Sequence, residues 1–247
     1  MKNAIRSEWI KLRTARSNLV LLVLSAAVPV AFTILITATV RSSDVEQQDR
    51  FSLLLAGAMV GYLLIGVLGV LVIGQEFRHT TIRVTFTAEP RRARVMAAKA
   101  LVVTATALVV GIIATVFSYA IGNAIMTSRG ADVTLPGSTQ ARAIAGAVVL
   151  FALYSLVGLA VGSIIRATAG AITLVVVWPV IVESIINGVL PKIGKWLPFN
   201  AGSQLTNTDA TINRSEALTP RAGGLVFLIF ALVLLAVGTA LVSRRDA

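Results

Sequence analysis

The amino-acid sequence predicts an all-α, polytopic membrane protein with six transmembrane helices. Of its 247 residues, 56% are hydrophobic, and the mean hydropathy is +0.86. Only 13% are charged, against about 25% in soluble domains. The apolar residues form six runs of about 20 residues, long enough to cross a hydrocarbon core of about 30 Å as helices. No run alternates with the period of two that a membrane β-barrel requires.

The predicted spans form a single membrane domain over residues 1–247. They cover about 19–40, 51–73, 100–124, 143–165, 168–190 and 223–242. Only Arg166 and Ala167 separate the fourth span from the fifth, which predicts a very tight hairpin. Pro29 and Pro179 predict kinks in the first and fifth spans, because proline removes a backbone hydrogen bond.

The charge pattern predicts the orientation of the spans. Of the 22 Lys and Arg residues, 14 lie in the N-terminal segment, the second and fourth loops and the C-terminal tail, and 8 lie in the other loops. Because positive charge gathers on the cytoplasmic side, both termini are predicted to be cytoplasmic. This pattern explains the net charge of +11 without a nucleic-acid partner. A multi-pass protein of the cytoplasmic membrane is expected.

Residues 1–18 are predicted to form an amphipathic helix that lies on the membrane surface. At 100° per residue, Ile5, Trp9 and Leu12 share one face, and basic residues lie beside it. Apolar anchors with basic edges suit an anionic lipid surface. The alternative interpretation is that these basic residues only set the topology.

The loop at 74–99 is the strongest candidate for a functional segment. It is rich in Arg and Thr, and Pro90 is expected in the first turn of the third span, where its missing N–H has no consequence. A short helix around Thr80–Thr87 would present Arg83 and Phe86 to a cytosolic partner. The alternative interpretation is a solvated basic loop that sets orientation.

Several short motifs resemble those of one transporter family. The loop carries Glu76-Phe77-Arg78, Thr80-Thr81-Ile82-Arg83, Pro90-Arg91-Arg92 and Ala98-Lys99. The chain also contains Glu8-Trp9, Lys11-Leu12-Arg13 and Leu197-Pro198-Phe199-Asn200. These residues resemble the permease subunits of type-2 ABC (ATP-binding cassette) exporters, and the N-terminal motif resembles actinobacterial members. One departure is Thr80, which stands where such permeases often carry glycine.

The resemblance implies a division of labour between subunits. In such exporters the first inner loop docks on a cytosolic ATPase. Two ATPase subunits and a second permease, identical or different, complete the transporter. ATP and Mg²⁺ would be bound by the ATPase, and this chain is expected to be neither an enzyme nor a cofactor-binding protein. The chain itself lacks the G-x-x-x-x-G-K-[ST] phosphate loop.

Glu183 is the one acidic residue well inside an apolar run. A carboxylate in lipid is unfavourable by at least about 2.5 kcal/mol, so Glu183 should face the bundle interior or water. One interpretation is a contact on the transport path or a gate, together with Asn187. The other is that the fifth helix ends early and Glu183 lies near the outer interface, where the segment 191–222 would form a short helix.

Small residues four apart occur in two spans, as Gly57-x-x-x-Gly61 and Gly158-x-x-x-Gly162. Such pairs allow close approach of helices, either within one subunit or at a seam between two.

Three other classes of protein remain as alternatives. A self-contained secondary transporter or channel would normally carry intramembrane ion ligands or inverted repeats. A membrane enzyme would need acids or histidines gathered at the surface, and Glu76, His79 and Glu89 are the only inner-loop candidates. A non-transporting scaffold or immunity protein is the third. The substrate is not specified by the sequence.

Overall fold

The computed structural model describes residues 1–40, 47–131, 133, 135–208 and 217–244. The side chains at 47, 48, 83 and 88 lie outside this description. The described chain is helical and contains no strand. Six helices in it are long and apolar enough to cross a membrane, which confirms the predicted fold class.

The helices follow the predicted order, with short helices added at both ends of the bundle. They are α1 (Lys2–Thr14), α2 (Arg16–Thr39), α3 (Gln47–Leu55), α4 (Ala58–Arg78), α5 (Thr81–Ala88), α6 (Arg92–Ser128), α7 (Gly137–Ile165), α8 (Thr168–Val177), α9 (Glu183–Val189), α10 (Pro191–Gly194), α11 (Pro198–Ser203) and α12 (Pro220–Arg244). The spans are α2, α3 with α4, α6, α7, α8 with α9, and α12.

Helix α7 is the centre of the bundle. It packs against α4, α6 and α12, and it is the most buried of the six spans. By contrast, α2, α12 and the fifth span are mostly exposed on their outer faces, as helices in contact with lipid would be. The hydrophobic core therefore lies between α4, α6 and α7.

The small residues bring α4 and α7 into close contact inside this subunit. A Cβ atom at Gly158 would overlap the carbonyl oxygen of Gly66, and one at Gly69 would overlap that of Ser155. In the same manner, the absence of a side chain at Gly57 and Gly61 allows α2 to approach closely at Pro29. The interpretation of the glycine pairs as packing within one subunit is confirmed.

The predicted hairpin is present, and the fifth span is irregular at Pro179, where a kink was predicted. Arg166 adopts a left-handed backbone conformation with φ 59°, which turns the chain from α7 directly into α8. One turn of π-helix, Trp178–Val182, contains Pro179 and separates α8 from α9. Proline prevents the regular hydrogen bond at this point, and a π-turn is a common way to accommodate it. Helix α2 continues as an α-helix through Pro29.

Aromatic side chains fill the end of the bundle where α9, α10 and α11 lie, opposite the turn at Arg166. Phe199 of α11 packs against Tyr154 of α7 and Phe227 of α12, with ring centroids 5.1 Å apart in both pairs. The predicted segment 191–222 thus forms two short helices, α10 and α11, and residues 209–216 lie outside the described residues.

Candidate functional site

The end of the bundle that carries α1 and α5 is called the α5 end here. Helix α5 lies in the loop between α4 and α6, as predicted from the segment Thr80–Thr87. Thr80 initiates it with a left-handed backbone conformation, φ 56° and ψ 11°. A β-branched residue rarely adopts this conformation. Glycine, the residue that the resemblance leads us to expect at this position, would adopt the conformation without strain.

Helix α5 has one buried face and one exposed face. Ile82 and Phe86 are buried in the core, whereas Thr81, Val84 and Thr87 are exposed. Val84 is 71% exposed. These three exposed residues, Thr81, Val84 and Thr87, are called the docking face below, a name that anticipates the partner contact proposed for them.

The prediction that Phe86 faces a partner is wrong. Its side chain is only 9% exposed, and the guanidinium of Arg92 lies 5.0 Å from its ring centroid. Residues three apart lie on the same side of a helix, so Thr81 and Val84 form an exposed face to which Phe86 does not belong. The backbone of Arg83 belongs to α5, but its side chain lies outside the described residues.

Four charged side chains form a charge cluster at the α5 end, in which Glu8, Glu76 and Lys99 are buried and Lys11 is half-exposed. Lys99 of α6 is fully buried, and its Nζ donates to Glu8 Oε2 and to Glu76 Oε1, both at 2.6 Å. Lys11 Nζ donates to Glu8 Oε1 and Glu76 Oε1, both at 2.8 Å, and to Thr85 Oγ1 at 3.2 Å. The cluster therefore joins α1, α4, α5 and α6.

The charge cluster balances two carboxylates against two ammonium groups. Burial alone would lower the pKa of Lys11, but hydrogen bonds to Glu76 and Glu8 and the nearby negative charges outweigh burial and raise it. Lys11 therefore remains charged at neutral pH. Buried ions are tolerated when they are paired and hydrogen-bonded in this way.

Two other residues of the predicted loop, Arg92 and Phe77, contact distant parts of the chain. Arg92 donates to the carbonyl oxygens of Val242 at 3.1 Å and Ser243 at 3.4 Å, which caps the last turn of α12. The Arg166 guanidinium lies 5.0 Å from the ring centroid of half-buried Phe77.

Five of the predicted loop residues are exposed at the α5 end. They are Arg78, Thr80, Thr81, Pro90 and Arg91. Pro90 lies two residues before α6 begins, so the prediction that it lies in the first turn is wrong. Arg91 occupies the cap position instead.

Arg94 and Glu89 form an ion pair beside these residues, with Nη1 and Oε2 3.1 Å apart. Desolvation raises the pKa of Glu89, but the hydrogen bond and charge of Arg94 reverse this and lower it. Glu89 is thus paired with Arg94 and does not belong to the charge cluster. His79 does not belong to the cluster either.

Helix α1 packs on the bundle through a different face from the one predicted. Glu8 and Leu12 are buried against the bundle, Ile5 is half-buried, and Trp9 and Ile10 are exposed. The expectation that Ile5, Trp9 and Leu12 share a lipid-facing side is therefore wrong for Leu12. The apolar residues left for a membrane surface are Trp9 and Ile10, which are neighbours in sequence.

Glu183 is fully buried and is held by α11. Its carboxylate accepts hydrogen bonds from Trp178 Nε1 at 3.1 Å, Asn200 N at 2.8 Å and Phe199 N at 3.4 Å. Asn200 Nδ2 also donates to the Glu183 carbonyl oxygen at 3.1 Å. Asn187 is exposed, and its polar side chain lies against Gly194. The structure thus pairs Glu183 with Asn200.

Sequence reasoning recognised the parts of the charge cluster as motif residues but assigned them no mutual contact. Glu8, Lys11, Glu76 and Lys99 lie on three helices that are distant in sequence. The available signal was Lys99 itself, a lysine at the start of an apolar run, because such a residue needs an acidic partner if it is buried. The identity of that partner depends on helix packing.

This arrangement defines a multi-pass membrane protein that presents a short helix, α5, at one end of its spans. The family model for ABC-2 family transporter proteins matches residues 4–183. That range covers α1 to the start of α9 and well over half of the chain, so the chain belongs to the ABC-2 transporter family and is a membrane component of that family. A search of curated proteins gave no match. Within the described residues, no group of three or more His, Asp or Glu side chains could hold a metal ion.

Proposed function

We propose that this chain is the permease subunit of an exporter driven by a separate cytosolic ATPase, which binds to the docking face of α5. The observation that carries the proposal is Val84, an apolar side chain that is 71% exposed on a helix outside the spans. Exposed apolar residues on α2 or α12 are explained by lipid. Val84 lies on a helix that is not one of the spans, and a protein contact would bury it.

The charge on either side of the docking face supports the same partner. Arg78 and Arg91 are exposed before and after α5. A neutral, partly apolar centre with basic flanks fits a groove that is apolar inside and acidic at its edges. We infer that the ATPase presents such a groove.

The contacts of α5 with the rest of the subunit would transmit a movement of α5 to the other helices. Ile82 and Phe86 anchor it to the core, and Thr85 accepts a hydrogen bond from Lys11 of the charge cluster. A displacement of α5 would therefore act on α1, α4 and α6 together. Two stable arrangements of these helices, biased by the nucleotide state of the ATPase, would alternate the access of the substrate path.

The proposed working unit contains two ATPases and a second permease subunit, identical or different. The exposed apolar face of the fifth span is available to a second permease, whose contact would replace lipid there. The apolar character of the spans favours an amphipathic or hydrophobic cargo moving outward. A self-contained secondary transporter would not need a helix that binds an ATPase.

The test is reconstitution with the cognate ATPase in lipid nanodiscs. Val84→Asp should abolish most of the permease-dependent ATPase stimulation and co-purification, because it places a desolvated charge in an apolar contact. Val84→Thr has nearly the same shape and should retain both. Equal stimulation by the Val84→Asp and wild-type permeases, at equal amounts of folded protein, would contradict docking through α5.

A further inference from the structure

The side of α1 that faces away from the bundle combines two cations with two large apolar side chains. Residues three, four and seven apart gather on one side of a helix. Four exposed residues of α1 have these spacings and are called the outer stripe here: Arg6, Trp9, Ile10 and Arg13. This stripe is on the opposite side from Glu8 and Leu12, which are buried against the bundle.

The contacts of α1 fix its depth relative to the spans. Glu8 accepts a hydrogen bond at 2.6 Å from Lys99, which directly precedes the predicted third span. Lys11 donates at 2.8 Å to Glu76, which lies just beyond the end of the predicted second span. Ala15 is extended, with φ −76° and ψ 116°, so α1 does not continue the direction of the first span. Helix α1 therefore lies at the level where the spans change from apolar to polar, which is the level of lipid headgroups.

The apolar half of the outer stripe suits that level. Trp9 is 46% exposed and Ile10 is 43% exposed, although neither is in a span. Tryptophan is enriched at the boundary between hydrocarbon and headgroups, where its ring is buried and its N–H stays hydrated. Insertion of both side chains into the upper part of a lipid layer would remove this apolar surface from water.

The charged half of the outer stripe selects the headgroup. Neither Arg6 nor Arg13 forms a salt bridge among the residues that the structure describes. Glu8, the one acidic residue of α1, is turned inward to the two lysines of the charge cluster. Guanidinium groups bind phosphate well. A zwitterionic headgroup adds an ammonium beside its phosphate, which these cations repel, whereas a headgroup with a neutral alcohol does not.

We propose that the outer stripe of α1 binds anionic phospholipids with a neutral alcohol headgroup, that is, phosphatidylglycerol. Arg6 and Arg13 are seven residues apart, about 10 Å along the helix axis, so each guanidinium holds the phosphate of a separate lipid. Trp9 and Ile10 lie beside the glycerol backbones and the first methylenes. Because Glu8 and Lys11 are on the same helix, the bound lipids also hold α1 against the charge cluster.

The depth of α1 favours lipid over an acidic protein surface. A cytosolic partner that reached the outer stripe would have to displace the headgroups beside the spans. The docking face of α5, in contrast, lies on a helix that is separate from α1. The lipid is therefore expected to bind the permease in the absence of any ATPase.

The experiment measures lipid selection by the purified permease alone, so its result is independent of the proposed ATPase docking. The protein is equilibrated in mixed micelles with equal amounts of phosphatidylglycerol and phosphatidylcholine, and retained lipids are counted by native mass spectrometry. Wild type should be enriched in phosphatidylglycerol. A basic residue near an anionic surface contributes about 1 kcal/mol, which is about fivefold in binding. Arg6→Gln/Arg13→Gln should therefore lower the ratio of the two retained lipids about fivefold.

A matched variant tests the location of the lipids. Arg78→Gln/Arg91→Gln removes the same charge from exposed positions at the same end of the bundle, outside α1, and should leave the ratio within about twofold of wild type. All four positions are exposed, where substitutions have little effect on stability.

Insertion of Trp9 is measured by fluorescence quenching. The signal of Trp9 is the difference between wild type and Trp9→Phe. Phosphatidylglycerol brominated near the top of its acyl chains should quench this signal, because the indole lies beside the first methylenes. The same concentration of soluble glycerophosphoglycerol should neither quench it nor displace the lipid.

Three results would overturn the proposal. The first is an unchanged lipid ratio in Arg6→Gln/Arg13→Gln, including the case in which this variant loses only binding to an ATPase, since the outer stripe would then be a protein contact. The second is an equal fall of the ratio in the two double variants, which would show a general effect of net charge. The third is a Trp9 signal that brominated lipid does not quench.

Discussion

Removal of the Lys99 ammonium is the most direct test of the charge cluster. Lys99 is fully buried, and it is the group that contacts both Glu8 and Glu76 at 2.6 Å. The variant Lys99→Met keeps the length and apolar stem of the side chain. It leaves two buried carboxylates with Lys11 as their only ammonium partner within the described cluster. The expected result is a large loss of stability.

The magnitude follows from the cost of an uncompensated buried charge. Removal of one member of a buried ion pair typically destabilises a protein by about 3–5 kcal/mol. For a chain of this size, 1 kcal/mol changes the melting temperature by about 2–4 °C. The melting temperature of Lys99→Met should therefore fall on the order of 10 °C. Lys2→Met, at an exposed position of α1, should change stability by no more than about 0.5 kcal/mol.

A second substitution separates charge imbalance from loss of packing. In Glu8→Gln/Lys99→Met, one carboxylate and one ammonium remain, as Glu76 and Lys11. The double variant should melt higher than Lys99→Met, because the cluster is neutral again. The assay is thermal unfolding of the purified protein in lipid nanodiscs, followed by size-exclusion chromatography. A Lys99→Met protein that melts within about 2 °C of wild type, or a double variant less stable than the single one, would refute the reasoning.

The remaining predictions concern helix packing, the far end of the bundle and docking. Gly158→Ala should lower stability by about 1–3 kcal/mol, because its Cβ overlaps the opposing backbone, whereas Gly188→Ala has open space and should not lower the melting temperature. Glu183→Ala removes the carboxylate that accepts three hydrogen bonds and should reduce stability by about 1–3 kcal/mol. Glu183→Gln should reduce stability by less, and equal melting temperatures for the two variants would contradict this role. Arg83→Glu should reduce ATPase stimulation while leaving membrane insertion intact, and unchanged stimulation in a well-expressed variant would count against the docking loop.

Much of the local architecture is predictable because its causes are local. The tight turn at Arg166 and Ala167 follows from the absence of any longer polar segment between two apolar runs. The irregular fifth span follows from Pro179. Helix α5 was expected from the polar segment before Pro90, and its bounds in the structure differ from the predicted ones by a single residue at each end.

The errors concern the direction in which side chains face. Phe86 was expected to meet a partner, and Leu12 to meet lipid, yet both are buried in the protein. A hydrophobic residue on an amphipathic helix can face lipid, a partner or its own core, and periodicity does not distinguish these three environments. Only the position of the neighbouring helices does.

The sequence by itself determined the membrane class, the six spans and the family, because these depend on the hydropathy of contiguous segments and on short motifs. The tertiary structure decided which polar groups meet. Glu8 and Lys99 are 91 residues apart in sequence and 2.6 Å apart in space, and Glu183 finds Asn200 instead of Asn187. The physical reason is that burial of a charge is tolerated only beside an opposite charge or a donor. The helices that supply such partners are brought together by tertiary packing, here of α1 on α6 and of α11 on α9.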